Sequence, residues 1–199
     1  MPGKMSLIRG VITMSSAKGR LFIISAPSGT GKSTVISHML KQRGDIVLSV
    51  SATTRAPREG ETDGVSYRFV TQEDFKSMIA RGEFLEYAEY VGEFYGTPAQ
   101  PIKECVESGK DVILEIEIQG AKQVMEKDPE AVSIFIVPPD MDELERRLRG
   151  RATDSEEKLA ARLARARQEM EEKSHYAHIV VNDDLSRAAE EIISIIDNS

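Results

Sequence analysis

Residues 26–33 of this 199-residue chain read Ala-Pro-Ser-Gly-Thr-Gly-Lys-Ser, directly after the apolar run Leu21-Phe22-Ile23-Ile24. An apolar strand, a glycine-rich turn and a Lys-Ser-Thr helix start together form a phosphate-binding loop. A triphosphate brings several negative charges that must leave water. Backbone N–H groups in such a turn can surround a phosphate, and the helix N-terminus adds positive potential. The first glycine of the G-x-x-x-x-G-K-[ST] pattern is replaced by Ala26, while Gly29-Thr30-Gly31-Lys32-Ser33 is intact. The plain alternative is an ordinary Gly/Ser turn before a helix. The strand and helix signals on both sides favour the phosphate loop.

That loop predicts a nucleoside triphosphate as a ligand, held by Ala26, Pro27, Ser28, Gly29, Thr30, Gly31, Lys32, Ser33 and Thr34. Lys32 is placed to reach the β- and γ-phosphates, and the Ser33 hydroxyl to hold the Mg²⁺ that travels with the triphosphate. His38, His175 and His178 have no metal-ligand spacing with cysteine or carboxylate partners, so no metal held by protein ligands alone is expected.

Bulk properties narrow the class further. The length suits one α/β core with small insertions. A net charge of −7 argues against a dedicated nucleic-acid binder, which would be basic. Cys105 is the single cysteine, which excludes an intrachain disulfide and fits a reducing cytoplasm. No apolar run approaches the ~20 residues needed to span a bilayer, so no membrane partner is expected. Residues 1–18 hold three possible starts, Met1, Met5 and Met14, and lack a signal-peptide core. They read as a flexible extension or a late-start artefact ahead of a domain over 19–199. No signature of a particular oligomer is present.

Strand-length apolar runs at Leu21–Ser25, Ile46–Ser51, Val112–Ile116 and Ser133–Val137 recur between amphipathic stretches. The latter predict helices over Lys32–Gln42, Glu73–Arg81, Pro98–Ser108, Gly120–Lys127, Met141–Arg149, Glu156–Lys173 and Leu185–Asp197. Such alternation implies a mostly parallel sheet covered on both faces. Gly44, Gly82 and Gly109 mark helix stops, and Asp154 with Glu157 marks a helix start. Residues 52–97 break the alternation with glycines and closely spaced aromatics, and predict a small mixed insertion with β-strands. Residues 138–157, arginine-dense and opened by two prolines, predict a mobile flap.

A second constellation follows the strand at Ile46–Ser51. Arg55 and Arg58 flank Pro57, which stiffens the turn. Two guanidinium forks on a rigid loop suit a phosphate, and Tyr67 and Tyr95 can add hydroxyl donors. By itself the segment reads first as a solvated loop pairing with Glu59 and Glu61.

Taken together, these motifs resemble the guanylate kinase family. The resemblance rests on Ser25–Thr34, on Ser51–Glu61, on Glu83-Phe84-Leu85-Glu86 and on Gly92–Thr97. It extends to Ile118-Gln119-Gly120 and Val181-Asn182-Asp183-Asp184, in order and at family spacing. It implies a P-loop NTPase core with a mostly parallel sheet, an insertion at 52–97 that binds GMP, and an arginine-rich lid at 138–157. It implies that ATP phosphorylates GMP to GDP. By the same resemblance Arg55, Arg58, Tyr67 and Tyr95 hold the GMP phosphate, and Ser51, Glu86, Thr97 and Glu117 read guanine. The chemistry agrees, because carboxylates accept from guanine N1–H and the exocyclic amine, whereas adenine N1 would present a lone pair.

The family often has Asp where this chain has Glu115 and Glu117, each one methylene longer. Glu117 is still expected to meet guanine and Glu115 to act near Mg²⁺ through water; surface solvation is the simpler alternative for both. The resemblance also assigns Arg147, Arg151 and Arg162 to the lid and the phosphate path, with Lys32 and Arg55, as charge-neutralising groups. A solvated helix face paired with Glu143 and Glu145 describes Arg146 and Arg149. Asn182 corresponds to a position near the ATP base, although a turn-forming Asn explains it equally well. Two rivals stay open: another P-loop small-molecule kinase, and a related domain that has lost catalysis and serves as an interaction module.

Overall fold

The computed structural model describes residues 18–90, 92–150 and 155–199. The expectation for residues 1–17 lies outside these. The core elements are β1 (Leu21–Ser25), α1 (Lys32–Gln42) and β2 (Val47–Leu48), then α3 (Ala99–Glu107), β7 (Val112–Glu115), α4 (Ile118–Lys127) and β8 (Val132–Val137). The chain ends with α5 (Met141–Arg149), α6 (Glu156–Glu171), a 3₁₀ turn, β9 (His178–Val181) and α7 (Leu185–Asn198). Between β2 and α3 lie β3 (Ala52–Thr53), β4 (Arg68–Phe69), α2 (Gln72–Ala80), β5 (Phe84–Tyr90) and β6 (Glu93–Pro98).

The core sheet has five parallel strands in the order β2-β7-β1-β8-β9. β1 is central and buried on both faces, which is why its sequence is continuously apolar rather than alternating. Phe22 and Ile24 pack with Val35, Ile36 and Met39 of α1 and with Ala189, Ile192 and Ile196 of α7. Leu21 and Ile23 face the other way, toward Ile102 of α3 and Ala121 and Val124 of α4.

Strands from residues 52–98 form a separate four-stranded sheet, order β4-β3-β6-β5, with β3–β4 parallel and β3–β6 and β5–β6 antiparallel. Phe75 of α2 stacks on Phe84 and Phe94 at centroid separations of 4.4 and 5.4 Å, fixing α2 to this sheet. Near its start β5 docks on α4: Lys127 Nζ donates to Leu85 O at 2.6 Å, and Gln123 Nε2 to Tyr87 O at 2.8 Å.

Several boundaries differ from the sequence expectation. The strand expected over Ile46–Ser51 pairs only at Val47–Leu48, because the chain then turns away from β7 to enter the small sheet. The helix expected over Glu156–Lys173 tightens to 3₁₀ geometry at Glu172–His175. Its cap is Ser155, which accepts from Lys158 N; Asp154 lies outside the described residues. Gly82 and Gly109 do take positive φ after their helices, whereas α1 ends at Arg43 without a left-handed glycine.

Phe22 is fully buried between α1 and α7. Phe22→Ala is expected to cost about 3–5 kcal/mol, seen as a lower urea midpoint at unchanged slope.

Candidate active site

The phosphate loop emerges from the C-terminal end of β1, and its shape is set by glycine. Gly29 and Gly31 sit at φ 94° and 89°, in the left-handed region that favours glycine. A Cβ on Gly31 would also lie 2.9 Å from Asn182 Nδ2. α1 begins with no acidic residue in its first turn and no side-chain cap, which leaves its N-terminal amides to an anion. Ala26, at the position of the missing first glycine, is buried in the core, and Pro27 is buried beside it. Thr30 closes the turn by donating to Pro27 O at 2.9 Å. Thr34 is exposed on the first turn of α1.

Lys32 Nζ donates to Ile116 O at 3.1 Å, so the neighbouring strand end anchors the loop cation. Ser33 Oγ donates to Glu115 Oε1 at 2.5 Å. A hydroxyl on the first turn of α1 and a carboxylate oxygen at the end of β7 form a donor set that fits Mg²⁺, a hard cation that keeps several waters and few protein ligands. Among the described residues no cluster of three or more His, Cys, Asp or Glu is present to hold a metal by itself.

Across the cleft, the Arg55 fork binds both oxygens of Glu61 at 2.8 and 2.9 Å, and Arg58 N donates to Glu61 Oε2 at 2.7 Å. The ion pair expected of a plain surface loop is therefore present, and it stiffens the turn that carries both arginines. The bound Arg55 holds the Glu61 carboxyl down at about 2. Tyr67 lies edge-on to Tyr95, with Arg55 5.5 Å from the Tyr67 centroid. Burial pushes the Tyr67 phenol up.

Glu86 is only 5% exposed, and burial raises its pKa. Thr97, fully buried, donates to Glu86 Oε1 at 2.6 Å, and Ser51 Oγ lies 3.3 Å from Thr97 Oγ1. Gly120 lets this carboxylate in: a Cβ there would stand 2.3 Å from Glu86 Oε2. Glu117, at the start of α4, is exposed to the same space.

One cleft of about 690 Å³ joins both halves. Lys32, Ser33, Ser28, Glu115 and Arg162 line one side. Ser51, Arg55, Arg58, Tyr67, Tyr95, Glu86 and Glu117 line the other. Thr97 sits behind Glu86. Arg147 and Asn182 lie behind the phosphate loop instead: Arg147 donates to Thr30 O at 3.1 Å and Asn182 O at 2.8 Å, and Asn182 Nδ2 to Thr30 O at 2.6 Å. Arg162 Nη2 donates to Ser28 Oγ at 3.1 Å. Arg151 lies outside the described residues. Arg146 and Arg149 pair with Glu143 and Glu145 on the helix face, as expected of a solvated surface.

Sequence reasoning gave no site role to Glu61, Gly120, Tyr90, Arg165 or Glu169. Arg162, Arg165 and Glu169 follow helical spacing and share a face, a signal present in the sequence. Their tertiary partners are not encoded at short range.

A parallel α/β sheet with a phosphate loop after its central strand, faced across a cleft by a small polar-lined sheet, defines the class: a P-loop nucleotide-binding protein. Residues 18–199 match the family model described as guanylate kinase, and the chain belongs to that family. The guanylate kinase of Neisseria meningitidis serogroup A is 52% identical over 179 residues, covering 90% of this chain and 87% of the relative. The guanylate kinase of Synechocystis is 47% identical over 182 residues, covering 92% and 95%. The crystal structure of guanylate kinase from Anaplasma phagocytophilum superposes with a TM-score of 0.76 at 37% identity, covering 94% of this chain and 88% of that one.

Because the folded Glu61 pKa is depressed, its ion pair adds stability above the ordinary glutamate value of about 4.3, and that stability is lost as pH falls toward 2. Glu61→Gln is therefore expected to flatten the acid limb of the stability profile, measured as urea midpoints between about pH 6 and pH 3.

Proposed function

We propose that this protein transfers the γ-phosphoryl group of ATP to GMP, giving ADP and GDP. The observation that carries this reading is one continuous cleft, which holds a phosphate loop on one side and a two-arginine loop beside a buried carboxylate on the other. A kinase joining two anions needs both.

In this reading Arg55, Arg58, Tyr67 and Tyr95 grip the GMP phosphate. Glu86, positioned by Thr97 and Ser51, accepts from guanine, and Glu117 supports it. An adenine in that place would face a carboxylate across a lone pair, and the unpaired buried group would penalise it. The phosphate loop holds the ATP phosphates, with Lys32 between its β- and γ-groups. Arg147 and Asn182 act from behind by fixing Thr30, while Arg162 reaches the loop at Ser28. Ser33 and, through water, Glu115 would hold Mg²⁺, which neutralises phosphate charge when bound. Arg151, outside the described residues, is assigned with Arg147 and Arg162 to charge neutralisation along the phosphate path. The acceptor oxygen is already ionised near neutral pH, so no strong base is required. Alignment and charge neutralisation do the catalysis. Residues 52–97 act as the monophosphate-binding insertion and 138–157 as a lid, whose closure excludes water.

Lys32→Ala is expected to remove most turnover in a coupled ADP-release assay; near-wild-type kcat would sink the assignment. Arg55→Ala and Glu86→Gln are expected to raise KM for GMP more than KM for ATP. A panel of GMP, AMP, UMP, CMP and dTMP should give turnover dominated by GMP. A preference for another monophosphate would discard the guanine site and keep the phosphate loop.

A further inference from the structure

Three side chains outside that assignment form a line across the mouth of the cleft. Tyr90, at the end of β5, is 48% exposed. The Arg165 guanidinium of α6 lies 4.7 Å from its ring centroid. Arg165 Nε donates to Glu169 Oε1 at 2.6 Å. The other Glu169 oxygen accepts from Ser28 N in the phosphate loop at 3.2 Å. A continuous contact thus runs from the small sheet, through α6, to the phosphate loop.

The location gives this line its meaning. β5 is docked on α4 near its start, through Leu85 and Tyr87. Tyr90 is at its opposite end and lines the cleft. Near Leu85 the strand is thus tied to α4 by side-chain donors to its carbonyls, whereas its Tyr90 end, paired with Glu93 of β6 inside the small sheet, meets α6 through the Tyr90–Arg165 contact. The contact uses arginine in two ways at once: the edge of the guanidinium bonds a carboxylate while its face lies against a ring. Glu169 is the more buried member of its pair, at 13% side-chain exposure, so it anchors Arg165 rather than following it.

We infer that Arg165 is a positioning residue for the transfer, tying the small sheet to the phosphate loop through Tyr90 and Glu169 at the separation where the two substrates meet. This rests on the reading of the cleft as a two-substrate site. Reaction between bound groups is steep in their separation, so a strut across the opening acts on alignment rather than on chemistry. Losing it lets the insertion drift open at its Tyr90 end. The acceptor then engages less often, and water reaches the loop more often.

The test is a double-mutant cycle on KM for GMP at saturating ATP–Mg²⁺, with Arg165→Ala, Tyr90→Ala and the pair, plus Tyr90→Phe, which keeps the ring. Each single alanine is expected to raise KM for GMP about five-fold, the scale of a half-exposed cation–π contact. The pair should be no worse than either single change, and Tyr90→Phe should restore most of the loss. ATP hydrolysis without acceptor should rise in the alanine variants. Unchanged KM for GMP, or effects that multiply in the pair, would overturn the inference. Should Arg165→Ala not fold, judged by its melting curve, the Tyr90 variants decide alone: a rise with Ala that Phe restores supports it, and no rise overturns it. A wild-type protein that turns over no GMP would sink the functional reading instead.

Discussion

The phosphate loop must keep its amides pointed at an anion that is absent while the protein folds, and most of the structure answers that demand. The loop leaves a strand buried on both faces, so its entry cannot shift. Ile116 O receives both Ser25 Oγ at 2.9 Å and Lys32 Nζ at 3.1 Å, which locks the loop to β7. Thr30 O receives Arg147 and Asn182 from α5 and the segment after β9. Side chains thus satisfy the outward carbonyls; Ser28 N and Thr30 N are taken by Glu169 and Pro27 O, and the uncapped amides at the start of α1 are left for ligand. This is preorganisation in the electrostatic sense: dipoles are aligned in advance, and their alignment is not a cost of the reaction.

The same logic governs the charged groups. The arginines at the cleft are met by carboxylates that hold their direction: Glu61 for Arg55 and Glu169 for Arg165. Glu143 plays that part for Arg147 behind the loop, and its neighbours Arg146 and Arg147 hold its carboxyl down at about 2. Long cationic side chains carry large rotamer entropy. A fixed partner removes much of that entropy before substrate arrives.

The core was legible in the sequence because its signals are local. β1, α1 and α5 have the boundaries that apolar periodicity predicts. The parallel sheet followed from alternation, and the small sheet from its break. Cleft-lining residues were legible wherever a motif concentrates them, as at Lys32–Ser33 and at Arg55 and Arg58. What the sequence hid depends on contacts between distant segments. Nothing near Arg147 indicates that it would support Thr30 from behind instead of lining the cleft. Glu169 looks like one more acid on a charged helix until α6 is laid against Ser28. The early end of β2 follows from the path into the small sheet, which strand propensity does not encode.

The close approach of Gly120 to Glu86 has a consequence for engineering. The carboxylate belongs to the small sheet, and the space it occupies belongs to α4 of the core. The two parts are therefore not interchangeable modules. Transplanting this insertion onto another phosphate-loop scaffold would place Glu86 against whatever side chain begins the matching helix. Even a methyl group there would collide with it, so the Glu86 pocket has to be moved as a matched pair of segments from both halves of the chain.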